Sequence, residues 1–514
     1  MDSVEAGSTL TALLESTVSR WGDCPFLVGE RGMVRYGAFQ QGVHGLASTL
    51  AERGVAAGDR VVVVMPSCPE ILYLWFALAR LGAIMVPVNP ALADVEIAPV
   101  LRHVAARALI GDTCRLAAYA GHLAPDLRIA ATQGSDLAPL LLPRPAGSAA
   151  RVSAADPVSL LLTSGTTDLP KVAALSHASF VIPAREFGRW MKVGPADRFF
   201  ACLPLFHMAG QAFAASAVAA GASLLVVPRF SARSFWDLVR RHRVTLVRHL
   251  GEMLVVLCRQ PATAGDRDHT LRAVYGGGAR PEIADEFERR FGVAVVEGYG
   301  LTETNTVLRN ELRRGRRGSI GRPLPYCEVR IAGRDGDPLP ASAAAAPVVG
   351  EIQVRRNPVM MSGYVGAPEL TAAVFAGNWF HTGDLGWRDA DDWFYFVGRS
   401  KDLIRRRGEH LVPSRIEGVL ERHPAVALSA VIGVADEVGG EEAKAFVVLK
   451  PGCRSSPQDL VAWCRTSLAE FEVPRFFEMC SDLPRTDTHK INKAKLRVAG
   501  HGSCYDRAAV PLPL

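Results

Sequence analysis

The sequence lacks the patterns that define several large classes of protein. It contains ten cysteines among 514 residues, but none of them forms a C-x-x-C pair, so we expect neither a zinc site nor a disulfide framework. The net charge of +6 is small for this length and predicts no binding to nucleic acid or to a membrane surface. No internal repeat is present. The composition therefore indicates a globular protein with reduced thiols, which we expect in the cytoplasm.

A long uninterrupted apolar run is also missing. The most apolar segment, residues 71–90, is interrupted by Arg80, Gly82 and Pro87. We interpret it as a buried helix followed by a buried strand rather than as a membrane span. The first residues are acidic and lack the apolar core of a signal peptide, which agrees with a cytoplasmic location.

What the sequence does contain is an alternation of strand-like and helix-like segments. Short runs rich in β-branched residues are typical of buried strands, and helical periodicity lies between them. This alternation predicts an α/β protein with parallel sheets covered on both faces, in which ligands bind beyond the carboxyl ends of the strands. The predicted strands cover residues 61–65, 84–88, 158–162, 222–227 and 244–250, and a helix is predicted over residues 70–81.

The character of the chain changes twice in its second half. Residues 326–354 contain two alternating segments separated by turn residues, which predicts a small antiparallel β unit. From about residue 400 onward the pattern predicts a small α+β domain of roughly 110 residues. Its predicted elements are helices over 414–423 and 457–468 and strands over 428–434 and 443–449.

The segment Leu161–Val172 has the composition of a phosphate-binding loop. It follows the predicted strand 158–162, so it lies at the end of a sheet where ligands bind. Hydroxyl groups, backbone N–H groups and one cation in a short turn can surround a chain of phosphates. The residues that supply these groups are Thr163, Ser164, Gly165, Thr166, Thr167 and Lys171.

Two further blocks carry polar residues beside glycines. In residues 296–304, Thr302 could donate to a phosphate oxygen and Glu303 could hold a magnesium ion, although a turn with a solvated glutamate also explains the pattern. In residues 381–386, Asp384 could accept both hydroxyls of a ribose with Arg399 beside it, and a turn or cap residue is the other interpretation.

Together these blocks resemble the adenylate-forming superfamily, which comprises acyl-CoA synthetases, adenylation domains of peptide synthetases and luciferases. The resemblance covers nearly the whole chain and includes residues 204–210, 275–279, 363–369 and 379–384. It implies a large N-terminal domain of stacked αβαβα sheets with a small β-barrel-like subdomain, followed by a small mobile α+β C-terminal domain. The implied bounds are 1–399 for the N-terminal domain with its β subdomain at about 322–399, 400–402 for a hinge, and 403–514 for the C-terminal domain.

The resemblance implies an activity and a set of binding residues. The family activates a carboxylic acid with ATP and Mg²⁺ to an acyl-adenylate, and then passes the acyl group to a thiol, commonly that of CoA. Residues 163–171 would bind pyrophosphate, Thr302 would contact the α-phosphate, and Glu303 would hold Mg²⁺. The residues implied around the rest of the nucleotide and the acyl pocket are Gly276, Gly277, Gly278, Ala279, Tyr299, Gly300, Asp384 and Arg399.

A second implied set lies in the C-terminal domain. Rotation about a hinge at Lys401 would exchange Lys490, the lysine of the adenylation step, for a loop at Gly408 that admits the thiol. Three arginines precede that loop and could bind the phosphates of CoA, or they could form a solvated basic loop. These arginines are Arg405, Arg406 and Arg407.

Three residues depart from the family's pattern, because Asp168, Val172 and His489 each replace a family glycine. A carboxylate at position 168 would repel pyrophosphate, and one pair of unit charges about 4 Å apart repels by roughly 1–4 kcal/mol. A β-branched residue at position 172 disfavours the positive φ that glycine allows. We therefore expect an enzyme that transfers the acyl group from an acyl-adenylate to CoA, with a weak or lost adenylation step and a separate adenylating enzyme as its supplier. The alternatives are a complete two-step acyl-CoA synthetase and a non-catalytic protein that binds an acyl-adenylate.

The residue at position 207 bears on the acid. Relatives that activate amino acids carry an aspartate directly after the phenylalanine at 206, where this chain has His207. The expected substrate is therefore a carboxylic acid without an α-amino group, and His207 is a candidate catalytic residue in the acyl or CoA channel. Arg248, His249 and Glu252 could contact the substrate or be ordinary residues at a strand end. A surface of this size is also compatible with a homodimer.

Overall fold

The structure is a computed structural model that describes most of the chain. The described residues are 9–111, 128–130, 147, 149–163, 171–312, 315–406, 409–436, 440–485, 491–498 and 504–508. The chain divides into two compact units, the first formed by residues 1–329 with 354–380 and the second by residues 330–353 with 381–514. No helix in the described ranges combines the length and the apolar character that a membrane span requires.

The helices of the first unit cover its sheets, and α3 illustrates how the sequence forms them. Pro69 opens this helix, and Gly82 ends it with φ +70°, a left-handed conformation that glycine adopts without strain. It is apolar on nearly every side because it is buried on nearly every side. The helices described in this unit are α1 (Leu10–Trp21), α2 (Tyr36–Glu52), α3 (Pro69–Leu81), α4 (Asp94–His103), α5 (His177–Trp190), α6 (Met208–Ala220), α7 (Ala232–Arg241), α8 (Gly251–Cys258), α9 (Pro281–Phe291) and α10 (Pro368–Ala373).

A seven-stranded sheet forms the first layer of this unit, in the order β18-β8-β7-β4-β3-β5-β6. The strands from β7 to β6 pair in parallel, whereas β8 is antiparallel to β7 and β18 is antiparallel to β8. The strands are β3 (Arg60–Val64), β4 (Ile84–Val88), β5 (Ala108–Gly111), β6 (Arg128–Ala130), β7 (Pro157–Thr163), β8 (Lys171–Ser176) and β18 (Gly363–Tyr364).

A nine-stranded sheet forms the second layer, in the order β15-β14-β13-β12-β11-β9-β10-β1-β2. Its central strands are parallel, and β2, β14 and β15 are antiparallel additions at the two edges. Buried aromatic side chains, among them Phe200, Phe235 and Phe287, fill the core on one of its faces. The strands are β1 (Pro25–Gly29), β2 (Gly32–Arg35), β9 (Arg198–Ala201), β10 (Ser223–Val226), β11 (Leu246–Leu250), β12 (Ala273–Gly277), β13 (Ala294–Leu301), β14 (Asn305–Arg309) and β15 (Arg322–Pro323).

The second unit contains a small β sheet and an α+β core. In the small sheet, β17 lies between β16 and β20, and β21 is antiparallel to β20. The core sheet has the order β24-β25-β26-β27, and apolar residues of α11 and α12 pack against it. The elements are β16 (Val329–Ala332), β17 (Gly350–Arg355), β20 (Trp379–Arg388), β21 (Phe394–Arg399), β22 (Ile404–Arg406), β23 (Glu409–Leu411), α11 (Pro413–Glu421), β24 (Val426–Ala435), β25 (Glu441–Leu449), α12 (Pro457–Arg465), β26 (Phe476–Cys480), α13 (Lys493–Val498) and β27 (Tyr505–Asp506). The short strand β19 (Phe375–Ala376) belongs to the first unit, as do Trp379 and Phe380 at the start of β20, with which it pairs.

The predicted fold class is confirmed, with one correction to the sheets. The chain is an α/β protein with a large N-terminal unit of sheets and a smaller C-terminal one. The predicted parallel pairing is present in the central strands of both large sheets, but each sheet also carries antiparallel strands that were not predicted. Parallel pairing needs a long crossover connection, whereas β7 and β8 are joined by only the seven residues 164–170, and a connection of that length returns the chain as an antiparallel neighbour.

Candidate active site

The two ends of the predicted phosphate loop face each other across a strand pair. Thr163 is the last residue of β7 and Lys171 is the first residue of β8, and the two are direct cross-strand partners. The loop therefore begins and ends at one point on the edge of the sheet. The predicted binding residues between them, together with Asp168, lie outside the described residues; they are Ser164, Gly165, Thr166 and Thr167.

Val172 occupies an ordinary strand position. It pairs with Leu162 across the β7–β8 ladder, and its side chain is fully buried in the core of the first sheet. Its φ is not among the positive values of the chain. The argument that a β-branched residue disturbs the loop here is therefore wrong, because a regular buried strand favours such a residue. Of the three residues that replace a family glycine, Val172 is the one that the structure describes, and its strand backbone is regular.

The hairpin between β13 and β14 presents the second predicted block. Leu301 pairs with Asn305, so Thr302 and Glu303 lie in the turn that joins the two strands. Asn305 has φ +55°, a left-handed conformation that asparagine tolerates, and the Thr304 hydroxyl accepts the Leu301 N–H at 3.0 Å. The turn therefore holds both side chains in a defined place.

Glu303 is held from both its backbone and its side chain. The Met361 N–H donates to the Glu303 carbonyl at 2.8 Å, and the Tyr364 hydroxyl donates to Glu303 Oε1 at 2.8 Å. Lys171 Nζ lies 5.4 Å from the centre of the Tyr364 ring. Burial, followed by the nearby charge of Glu303, raises the pKa of Tyr364, so the hydroxyl keeps its proton and remains a donor. Tyr364 thus lies between the loop lysine and the candidate magnesium ligand.

The glycine-rich turn after β12 is supported by a buried carboxyl group. Gly278 and Ala279 donate their backbone N–H groups to Glu297 at 3.0 and 3.3 Å. Burial raises the pKa of Glu297 to about 8, although these two hydrogen bonds act in the opposite direction. His249 Nε2 lies 3.6 Å from Glu297 Oε1, and burial lowers the pKa of His249 to about 4. At neutral pH the imidazole is therefore uncharged.

Two of the predicted nucleotide-binding glycines have no room for a side chain. A Cβ on Gly276 would lie 2.0 Å from the His249 carbonyl oxygen, and a Cβ on Gly300 would lie 1.9 Å from the Asn305 carbonyl oxygen. Tyr299 precedes Gly300 in β13 and pairs with Leu308 of β14. Glycine is therefore required here by the close approach of neighbouring strands, whether or not a nucleotide is bound.

Arg248 and His207 lie next to the same corner of the second sheet. Arg248 pairs with Tyr275 of β12, and its guanidinium carbon lies 5.3 Å from the centre of the Tyr275 ring. Its Nη1 donates to the carbonyl of Ala209 at 3.2 Å, in the first turn of α6. His207 is the residue that precedes α6, and its ring lies 4.7 Å from that of Phe206.

In the second unit, Asp384 and Arg399 are cross-strand partners of β20 and β21. Arg399 Nε lies 3.3 Å from Asp384 Oδ1, and the Asp384 side chain is only 3% exposed, whereas that of Arg399 is 43% exposed. Gly383 has φ +69°, and its N–H donates to Glu351 at 2.9 Å. The predicted pairing of these two residues is thus present, and ribose binding stays a prediction.

The basic segment after β21 divides its arginines between two environments. Lys401 is exposed in a short 3₁₀ turn over Ser400–Asp402. Arg405 is exposed, whereas Arg406 Nε lies 2.6 Å from the buried carboxylate of Glu442. Arg406 also donates from Nη1 to the carbonyl of Phe471 at 2.6 Å, so part of its guanidinium is engaged within the protein. The remaining predicted residues lie outside the described residues; they are Arg407, Gly408, His489 and Lys490.

The described residues contain no group of three or more histidine, cysteine, aspartate or glutamate side chains arranged to hold a metal ion. Among the described residues Glu303 would therefore be a lone protein carboxylate for a metal ion, and Tyr364 contacts one of its two oxygens. Such a carboxylate suits Mg²⁺, which commonly takes one or two protein carboxylates and completes its shell with water and substrate phosphates.

Comparison with known proteins decides the family. The profile of the AMP-binding enzyme matches residues 14–365, and that of the AMP-binding enzyme C-terminal domain matches residues 415–490. The chain belongs to the AMP-binding enzyme family. It is 32% identical to the crotonobetaine/carnitine–CoA ligase of Citrobacter koseri, over 96% of this chain and 100% of the relative. The chain is therefore a carboxylic acid–CoA ligase of the adenylate-forming superfamily.

Solved structures agree with this assignment. ATP-bound MatB from Rhodopseudomonas palustris is 26% identical, with a TM-score of 0.88 over 96% of this chain and 99% of that one. The anthranilate CoA ligase AuaEII in complex with anthranoyl-AMP is 25% identical, with a TM-score of 0.87 over 98% of each chain. The expected adenylate-forming fold is thus confirmed over nearly the whole length.

Two residues of the site carried no role in the sequence analysis. Tyr364 lies in the block 363–369, which contributed to the resemblance but suggested no contact with Glu303. Glu297 lies directly before the glycines of the block 296–304, and its position predicts only the end of a strand. Both become informative only when segments far apart in sequence come together.

Proposed function

We propose that this chain is an acyl-CoA synthetase that carries out both half-reactions. In the first, a carboxylate oxygen of the acid attacks the α-phosphorus of ATP, and pyrophosphate leaves. In the second, the thiol of CoA attacks the acyl carbonyl, its proton is lost, and AMP leaves. The observation that carries the proposal is that Tyr364 contacts both groups: Lys171 lies over its ring, and Glu303 accepts a hydrogen bond from its hydroxyl.

This arrangement suits ATP because it places a cation and a magnesium-binding carboxylate on one support. The ammonium group of Lys171 would attract the β- and γ-phosphates, since a point charge binds phosphate without strict geometry. Glu303 would hold Mg²⁺ through the oxygen that Tyr364 does not contact. When bound, the ion would neutralise phosphate charge and polarise the α-phosphate. A protein that only captured AMP would need neither group at this position.

The predicted residues for adenine and for CoA complete the proposal. Glu297 accepts hydrogen bonds from the N–H groups of Gly278 and Ala279 and so supports the turn beside which adenine would lie. Arg405 is the exposed arginine of the described basic segment and would attract a phosphate of CoA. Asp384 would accept the ribose hydroxyls, as the resemblance implies.

A second candidate function rests on Asp168. Its carboxylate lies within a loop that would surround pyrophosphate, so the adenylation step would be slow or lost through charge repulsion. The chain would then catalyse thioester formation alone, and a separate adenylating enzyme would supply the acyl-adenylate. Val172 no longer supports this candidate, which therefore depends on one residue.

The experiment offers the enzyme two routes to the same thioester. One route supplies acid, ATP, Mg²⁺ and CoA, and the other supplies pre-made acyl-adenylate and CoA. Turnover by both routes, with ATP–pyrophosphate exchange, supports the complete synthetase. Turnover by the second route alone supports the second candidate, and Asp168→Gly should then restore the exchange while Asp168→Glu does not. Thioester by neither route, with adenylate still bound, would leave a binding protein and contradict both.

A further inference from the structure

Arg248 is a cation in the middle of β11 (Leu246–Leu250), next to the predicted acyl pocket. Its guanidinium contacts Tyr275 on one side and the Ala209 carbonyl on the other. Tyr275 precedes the glycine-rich turn, and Ala209 follows His207 by two residues. The resemblance places the first segment beside the adenine and the acyl pocket and the second beside the acyl or CoA channel, so the acyl pocket is the region that the two segments share.

The charge of Arg248 has no protein counter-ion among the described residues. The side chain is mostly buried, and no carboxylate of the described ranges lies within ion-pair distance of it. The neighbouring His249 is uncharged at neutral pH and offers no compensation. Among the described residues the Arg248 guanidinium makes one hydrogen bond, which leaves most of its five N–H donors for another partner. A buried cation without a counter-ion is costly, and a bound anion would remove that cost.

The surroundings of Arg248 add hydroxyl groups, aromatic rings and a second cation. The Tyr275 hydroxyl lies 3.1 Å from Thr306 Oγ1, and the Tyr275 ring packs edge-on against Trp190 at 5.2 Å. Arg309 lies over the other side of this pair, with its guanidinium carbon 5.3 Å from the Trp190 ring. The two arginines therefore contact the two rings of one aromatic pair.

This environment disfavours the substrates named for the curated relatives. Carnitine and crotonobetaine carry a quaternary ammonium group, which aromatic rings can hold by cation–π attraction. Here the Tyr275 ring already has the guanidinium of Arg248 against it. A substrate cation would meet a like charge at close range in a poorly solvated site, and such a contact excludes the wrong ligand.

We propose that Arg248 determines specificity by binding a second carboxylate, so that the acid activated by this enzyme is a dicarboxylic acid. The inference rests on the proposed function, because it assigns the distal part of the same acyl pocket. One carboxylate would enter the adenylation reaction, and the other would accept two parallel hydrogen bonds from the guanidinium. The bond-making steps are those given above, and Arg248 takes no part in them.

The test measures equilibrium binding of stable acyl-adenylate analogues by calorimetry. Acyl-sulfamoyl adenosines are compared in pairs that differ only in a terminal carboxylate: butanoyl with succinyl, and benzoyl with 3-carboxybenzoyl. In the native enzyme we expect at least one carboxylated analogue to bind about tenfold or more tightly than its partner, as a charged hydrogen-bonded pair allows. A difference in affinity between butanoyl and succinyl would indicate an aliphatic dicarboxylic acid, and one between benzoyl and 3-carboxybenzoyl an aromatic one.

The variants separate a specific contact from a structural effect. Arg248→Met should abolish the preference while leaving the affinity for butanoyl or benzoyl analogues within about threefold, and Arg248→Lys should keep part of it. Arg53→Met is the matched control, because it removes an exposed arginine directly after α2, to which no binding role is assigned. Equal affinity within both pairs in the native enzyme would overturn the inference and leave the proposed function intact. Failure of every analogue to bind would overturn the proposed function as well.

Discussion

The hydroxyl of Tyr364 donates a hydrogen bond to the carboxylate of Glu303 at 2.8 Å across 61 residues of sequence. The same ring lies against Lys171, which ends the predicted phosphate loop. A metal ligand that is already oriented loses less freedom when the metal and its nucleotide bind, and a hydrogen bond to the ligand commonly fixes that orientation in metal sites. Tyr364 is thus a positioning residue between the two groups that we assign to ATP.

Replacing Tyr364 by phenylalanine should slow adenylation. The variant keeps the ring beside Lys171 but loses the donor to Glu303, and we expect ATP–pyrophosphate exchange to fall about tenfold, which corresponds to roughly 1.4 kcal/mol. The Mg²⁺ concentration for half-maximal exchange should rise, a change that a merely structural role would not produce. Tyr395→Phe is the control, since it removes a comparable bond to Asp389 in the second unit. Unchanged Mg²⁺ dependence would contradict the positioning role.

Replacing Glu297 by glutamine should change how stability depends on pH. Because burial raises the pKa of Glu297 from 4.5 to about 8, the folded protein binds this proton more tightly than the unfolded chain does. The contribution is complete below pH 4.5 and is lost as the pH rises through 8. Glu297→Gln should therefore flatten the fall of the thermal midpoint across this range.

His249 supplies an internal comparison for the same measurement. Its pKa is lowered from 6.5 to about 4, so the folded protein favours the neutral ring and its contribution is lost as the pH falls from 6.5 through 4. This acid-side loss should persist in Glu297→Gln. A variant whose midpoint still fell between pH 4.5 and 8 as steeply as the native one would disprove the assignment to Glu297.

Replacing Gly300 by alanine should disable the β13–β14 hairpin. The added Cβ would lie 1.9 Å from the Asn305 carbonyl oxygen, which cannot move without opening the turn that carries Thr302 and Glu303. We expect activity to drop by at least about 100-fold, because small displacements of reacting groups are that costly. Gly418→Ala in α11 is the matched control, since its Cβ would meet no atom within 4 Å. Activity close to native in Gly300→Ala would refute the steric argument.

Replacing Arg406 by methionine should destabilise the second unit. Its partner Glu442 is 1% exposed, and breaking a buried ion pair by removing one partner typically costs about 3–5 kcal/mol. Hydrogen exchange of the β25 amides would report the loss locally. The control is Arg465→Met, whose pair with Glu470 is exposed and contributes about 1 kcal/mol or less. Equal protection in the two variants would show that the Arg406 pair contributes no more than a surface pair.

Several elements follow directly from local sequence patterns. The strand predicted over residues 84–88 has the bounds of β4, and the helix predicted over residues 70–81 differs from α3 by one residue. Both patterns are strong because a buried strand and a buried helix require continuous apolar residues, and Pro69 and Gly82 mark the helix ends. The helix predicted over residues 457–468 ends at Arg465 instead, because helix ends depend on capping contacts more than on periodicity.

Strand direction was not predictable in the same way. The sequence analysis placed residues 171 and 172 at the end of a loop and did not predict β8, and whether β8 runs parallel or antiparallel to β7 depends on the connection between them. This decides the environment of Val172, which fits the interior of a ladder and would not fit a loop that needs glycine. The comparison with the family motif therefore predicted a disturbed loop at Val172, where the structure has a regular strand.

By itself, the sequence determined the family, the α/β class and the order of the blocks that handle a nucleotide, because these depend on local residue types and spacing. Only the tertiary structure decided which side chains meet: Tyr364 with Glu303, Glu297 with the turn at Gly278, and Arg248 with Tyr275. Each contact joins residues on different strands, and the packing of those strands is set by the whole core rather than by either segment. For this reason the reaction class is readable from the chain, whereas the residue proposed to select the acid emerges from the fold.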